Sequence, residues 1–224
     1  MRKDFPKLIS YERFVTLEPT LVYHFWSVLK LLMGKPTGIA FIDSTKLEVC
    51  HIRRASGHKV FEGVAQKGKT SVGWFFGFKL HLCINECGEL LSFWMTAGNE
   101  HDLNAVTKLT PGLVGKLFGD KGYISQKLTE ELMEQGLQLI TRLRKNMKPK
   151  VMQACDAVML RKRALIETVI DQLKNVSQVE HSRHRSHANF FINVLAALTA
   201  YCLQPKKPSL KVDLPDELFS LVAL

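Results

Sequence analysis

The stretch Leu117-Phe118-Gly119-Asp120-Lys121-Gly122-Tyr123, LFGDKGY, ends an apolar run in a glycine and a carboxylate, then adds a lysine, a glycine and an aromatic ring. Alone it is a strand running into a turn, because Gly and Asp punctuate turns in any protein. The same device occurs upstream, where Ile39-Ala40-Phe41-Ile42 runs into Asp43. Short continuous apolar runs of this kind are the pattern of buried strands. Two acids therefore stand at the C-terminal ends of two strands.

The elements around these two strands set where their ends lie. Over residues 72–84, Phe76, Phe78, Leu80 and Leu82 alternate against Gly77, Lys79, His81 and Cys83, and residues 90–96 return after a turn at 85–89. This pattern predicts a hairpin, with Trp74 and Trp94 in the core. The polar, glycine-bearing stretch 51–70 reads as an exposed loop. Asp102 is expected to cap a short helix over 102–109, and Ser125 and Gly136 to open and close another. Residues 113–118 and 137–143 supply two more strands, and a long helix near 159–176 and a final helix over 188–203 follow. The order predicts an α/β fold, a mixed five-stranded sheet with flanking helices. In open sheets, sites gather at strand ends near a switch in connection order. Ahead of the first strand, Leu21, Phe25, Leu29 and Leu32 recur at helical spacing. The expected division is a helical segment over 1–37, the α/β domain over 38–205 and a tail over 206–224.

Composition narrows the class. With 46% hydrophobic and 23% charged residues the 224-residue chain is an ordinary globular one. Its 31 Lys+Arg against 21 Asp+Glu give a net charge of +10, which favours a polyanionic partner such as nucleic acid. Five cysteines without a CxxC pair suggest neither a disulfide framework nor a structural zinc site, and point to a reducing cytoplasm. The longest apolar stretch, residues 190–203, suits a buried helix better than a membrane span.

Three carboxylates stand out: Asp43, Asp120 and Glu167 on the long helix. Divalent magnesium takes oxygen ligands, chiefly a few carboxylates with water and phosphate. Two such ions roughly 3.5–4 Å apart can activate a water or a 3′-hydroxyl and stabilise the leaving oxygen of a phosphodiester. Acids from different elements, distant in sequence, are what this chemistry requires. Each acid also has a purely structural explanation. Asp43 and Asp120 can cap turns, and Arg163, Glu167 and Asp171 share the i, i+4, i+8 spacing of a solvated ion-pair stripe.

From about residue 39 to 203 the chain resembles a transposase of bacterial insertion sequences with a DDE catalytic domain, of the RNase H-like fold shared with retroviral integrases. Three motifs carry the resemblance. Phe41-Ile42-Asp43-Ser44-Thr45 resembles the first-aspartate strand, and Gly119-Asp120-Lys121-Gly122-Tyr123 the second-aspartate segment. Arg163, Glu167 and Lys174 resemble the signature arginine, three residues, glutamate, six residues, lysine. The resemblance implies metal-dependent DNA cleavage and strand transfer, with Asp43, Asp120 and Glu167 as catalytic ligands of Mg²⁺ or Mn²⁺, two ions in all. It implies double-stranded DNA partners, namely the element's terminal inverted repeats and the target, with the chain as a homo-oligomer on DNA. It also implies a cytoplasmic, nucleoid-associated protein with no membrane. Lys121, Arg163 and Lys174 are the expected phosphate contacts, and Tyr123 is expected to pack under the site or stack on a base.

The segment 141–185 carries eleven Lys+Arg against four acids. Arg144, Lys145, Arg183 and Arg185 are its expected DNA-binding members. Two departures from the family pattern are visible. Leu160 stands where the signature often has a tyrosine, and only about 38 residues precede the first strand, where relatives carry a longer end-recognition region. An N-terminally truncated copy is therefore an expectation. A catalytically silent DNA-binding remnant or regulator, and a nuclease that cuts without joining, are the alternative readings.

Overall fold

The structure, a computed structural model, describes residues 7–142, 152–180 and 184–210. In chain order these form α1 (Tyr11–Leu17), α2 (Val22–Leu32), β1 (Ile39–Cys50), β2 (Gln66–Thr70), β3 (Gly73–Asn85) and β4 (Leu90–Ala97). Then come α3 (Leu103–Leu109), β5 (Gly115–Gly119), α4 (Gln126–Glu134), β6 (Leu137–Thr141), α5 (Ala154–Lys162), α6 (Ala164–Asn175) and α7 (His187–Cys202).

The sheet runs β6-β5-β1-β3, and β2 and β4 follow one another along the far edge of β3. β1 is antiparallel to β3 and parallel to β5, and β6 is parallel to β5. A parallel neighbour needs a crossover, and α4 supplies the one between β5 and β6. Alternation along the strands sorts the core onto two faces. Phe41, Leu47, Leu80 and Phe118 face a cluster with α6 and α7. Ala40, Ile42, Cys83 and Leu117 face a second cluster with α3 and α4.

The mixed sheet with flanking helices is the expected one, but it has six strands rather than five. The stretch 51–70 is not a plain exposed loop. It contains a 3₁₀ turn over Ile52–Gly57, the edge strand β2, and Phe61, which is buried against Phe78 and Phe190. The long helix is two, broken at Arg163. Ser125 caps α4 as expected, its hydroxyl accepting from the Leu128 N–H, and Gly136 at φ +77° closes that helix. Asp102 holds the cap position of α3 without a capping bond, because its carboxylate pairs with Lys79 at 2.9 Å instead. Trp74 and Trp94 are 61% and 44% exposed, not in the core; Trp74 lies at the start of β3 and Trp94 on the edge strand β4. Of the N-terminal helices, α2 is bound to the domain, packed on α7 with Leu29 fully buried. Among the described residues no helix is long and apolar enough to cross a membrane. The five cysteines are free thiols.

Candidate active site

Strand register brings the two aspartates together. In the parallel pair, Phe41 lies opposite Phe118, so Asp43 and Asp120 each follow that match by two residues. β5 ends at Gly119, whereas β1 continues along β3 to Cys50. The two strands part at this point, and the acids stand where the parallel and antiparallel halves of the sheet diverge. Asp120 opens a short 3₁₀ turn over Lys121–Tyr123, its Oδ1 accepting from the Gly122 N–H at 2.6 Å. That bond is the turn expected of LFGDKGY.

Asp43 is the more enclosed acid. Its Oδ1 accepts from the Ser44 N–H at 2.8 Å, and its Oδ2 from Arg163 Nη1 at 2.8 Å. Burial pushes its pKa up, against the pull of Arg163 and the Ser44 N–H, and Asp120 adds to the rise. The second Arg163 nitrogen, Nη2, donates to Glu167 Oε1 at 2.5 Å. Burial acts to lower the Arg163 pKa, but Asp43, Glu167 and Asp120 together raise it. One guanidinium thus bonds Asp43 of β1 and Glu167 of α6, and feels the charge of Asp120 just past β5.

The break between α5 and α6 makes this possible. Arg163 is the last cap of one helix and the first of the next, and Glu167 lies in the first turn of α6, where a carboxylate is favoured by the helix dipole. The Arg163–Glu167 pair of the expected stripe exists, but Asp171 is engaged by Asn175 at 2.6 Å instead of extending it. Leu160 is buried in the core on the sheet face that α6 covers.

A cleft of about 380 Å³ opens beside the acids, lined by Asp120, Lys121, Arg142, Arg161, Arg163 and Glu167. Lys121 and Arg163 are therefore at the site, and Arg142 and Arg161 join them. The last two belong to the basic run in the sequence, but nothing in that run marks them over their neighbours. Lys174 is elsewhere engaged: two turns along α6, its Nζ pairs with Glu180 Oε2 at 2.8 Å, and Glu180 Oε1 accepts from the Glu48 N–H. Arg185 is exposed just ahead of α7. Arg144, Lys145 and Arg183 lie outside the described residues. Tyr123 packs beneath the site, 1% exposed and close enough to Gly119 that a Cβ there would sit 3.1 Å from its ring. Burial, with Asp43, Asp102 and Asp120 nearby, drives its hydroxyl pKa well above the ordinary range.

Three carboxylates are a fitting donor set for hard divalent cations. As they stand, however, Asp43 and Glu167 are bonded to a guanidinium. Among the described residues no group of three or more His, Cys, Asp or Glu side chains is arranged to hold a metal ion.

Comparison with known proteins identifies the fold. The piggyBac transposase in its synaptic complex with hairpin DNA, solved by cryo-electron microscopy, matches 89% of this chain with a TM-score of 0.50 at 13% identity. This chain spans only 56% of the length of that one. The catalytic domain of Mos1 mariner transposase matches over 88% of this chain and 95% of its own length, at 10% identity and a TM-score of 0.29. No curated protein matches. The model of the family described as the transposase DDE domain matches residues 33–187, which contain both strands, both aspartates and Glu167. The chain belongs to the family of transposase DDE domains.

Proposed function

We propose that the chain cuts and joins phosphodiester bonds at the ends of a mobile DNA element, with Asp43, Asp120 and Glu167 holding two divalent ions, Mg²⁺ or Mn²⁺. The observation that carries this reading is a guanidinium bonded to Asp43 of β1 and Glu167 of α6, with Asp120 and Glu167 lining the same basic cleft. When bound, such ions lower the pKa of an attacking hydroxyl and neutralise charge on the leaving oxygen.

The protein side chains supply the rest. Asp43 is oriented by the Ser44 N–H and Asp120 by the Gly122 N–H, so both acids are fixed before substrate arrives. Glu167 is 57% exposed at the cleft and has the freedom to adjust. Lys121, Arg142 and Arg161 lie where a phosphate backbone would run. In cleavage, a water oxygen bonds to phosphorus as the P–O3′ bond breaks, freeing a 3′-hydroxyl. In joining, that hydroxyl attacks a target phosphate and expels the target's own 3′ oxygen. The substrates are the duplex ends of the element and a target duplex. The chain acts as a homo-oligomer at the nucleoid.

Nicking of end-labelled duplex with and without Mg²⁺ tests the reading, followed by strand transfer from pre-cut ends. Asp120→Asn should lower nicking by orders of magnitude and leave duplex binding in place. Metal-independent nicking, or full activity in Asp120→Asn, would overturn the assignment. Nicking without strand transfer would identify a nuclease.

A further inference from the structure

We propose that Arg163 is a latch: in the DNA-free chain its guanidinium occupies the space between the carboxylates, and a DNA phosphate draws it out, so that DNA binding and metal loading are coupled. This rests on the reading of Asp43, Asp120 and Glu167 as metal ligands. The geometry is specific. Nη1 takes Asp43 Oδ2 and Nη2 takes Glu167 Oε1, each an oxygen that a cation would otherwise share. The guanidinium side chain is only 18% exposed, and the charge of Asp120 also acts on it. A cation placed among these acids must therefore compete with a planar, permanently charged group that already satisfies two of them.

The competitor has somewhere to go. Arg163 lines the open cleft together with Lys121, Arg142 and Arg161, so it has a face toward the region where a backbone phosphate would lie. Phosphate offers a guanidinium the same bidentate acceptor geometry as a carboxylate. Transfer of Arg163 from carboxylates to phosphate leaves the acids uncompensated and mutually repulsive, which raises their affinity for a cation. By linkage the effect is reciprocal, and couplings of this kind are commonly about 5- to 150-fold.

The test is Mn²⁺ binding by the full chain, followed by electron paramagnetic resonance of the free ion, which needs no catalysis. Without DNA, Arg163→Gln should bind Mn²⁺ about tenfold more tightly than the wild type, and Arg163→Lys, which keeps the charge but not the fork, by an intermediate factor. Lys162→Gln removes one charge from the adjacent exposed position and should change affinity less than about twofold. Adding a short duplex should tighten Mn²⁺ binding by the wild type, and by a clearly smaller factor in Arg163→Gln. Unchanged or weaker binding in Arg163→Gln overturns the latch, as does an equal effect of Lys162→Gln or equal tightening by duplex in both proteins. Should Arg163→Gln not fold, Arg163→Lys decides: affinity equal to wild type overturns the proposal. Asp43→Asn separates the two levels. Binding lost in Asp43→Asn but indifferent to Arg163 sinks only the latch, whereas Mn²⁺ binding indifferent to Asp43 sinks the metal-site reading beneath it.

Discussion

At the scale of single residues, neighbouring carboxylates on one helix have different tasks. Glu167 and Asp171 are one turn apart on α6, but Glu167 turns to Arg163 and the cleft, and Asp171 to Asn175. Glu167→Gln keeps the size and removes the charge, so metal-dependent nicking should fall by orders of magnitude. Asp171→Asn should alter it less than about threefold, since that carboxylate bonds the exposed Asn175 amide and does not line the cleft. Equal losses in a cleavage assay would mean that the helix contributes only its overall charge. A second residue responds to pH. His81 is fully buried, with Nε2 at 2.8 Å from Thr96 Oγ1. Burial lowers its pKa from 6.5 to about 4, with Asp102 opposing and Lys79 assisting. The unfolded chain therefore takes up a proton that the folded one refuses. The contribution of neutral His81 is complete above pH 6.5 and is lost as pH falls toward 4, by up to roughly 3 kcal/mol. Urea melts at pH 7 and pH 4.5 should show that loss in the wild type and a smaller one in His81→Gln. An equal loss in both would place the acid sensitivity elsewhere.

At the scale of elements, close approach of β1 and β3 sets a strict demand. A Cβ on Gly77 would lie 2.0 Å from the Leu47 carbonyl oxygen, beside the irregularity of register at Glu48–Cys50. Backbone cannot yield as a side chain can. Gly77→Ala should cost roughly 1–3 kcal/mol. Gly57 has open space around its Cβ position, so Gly57→Ala should be neutral or gain about 0.4–1 kcal/mol. Thermal melts of the two variants check both, and a stable Gly77→Ala would mean that the strands can separate there freely. The strand ends that carry Asp43 and Asp120 were legible because a buried strand is written as an apolar run and its end as a break in that run. β2 was not legible, because Gln66-Lys67-Gly68-Lys69-Thr70 is a polar edge strand with no apolar face to reveal it. The break at Arg163 was equally hidden. No Gly or Pro stands there, and the residue at the break bonds Asp43, 120 residues earlier, a partner that local sequence does not reveal. The pairing of Lys174 with Glu180 also depends on where the chain goes after α6, which helical spacing alone does not say.

At the scale of the whole molecule, charge and shape act together on any duplex. Lys121, Arg142, Arg161 and Arg163 lie together around one cleft, with Asp120 and Glu167 also on its lining, in a chain of net charge +10. Affinity for DNA should come mainly from counterions released as these cations meet phosphates. With about four phosphate contacts, the slope of log affinity against log salt concentration should be roughly −3.6. Discrimination between sequences needs side chains that reach base edges, each good bidentate contact giving about 1–3 kcal/mol. The cleft residues are arranged around carboxylates at the lip of a sheet, a geometry suited to a backbone and not to a groove floor. Binding by this chain should therefore be steeply salt-dependent but should discriminate less than about tenfold between duplex sequences. Competition binding at two salt concentrations, an element's ends against scrambled duplex, measures both quantities. A slope near zero would deny the cleft its electrostatic role, and a preference above about a hundredfold would locate base-reading side chains on a surface outside it.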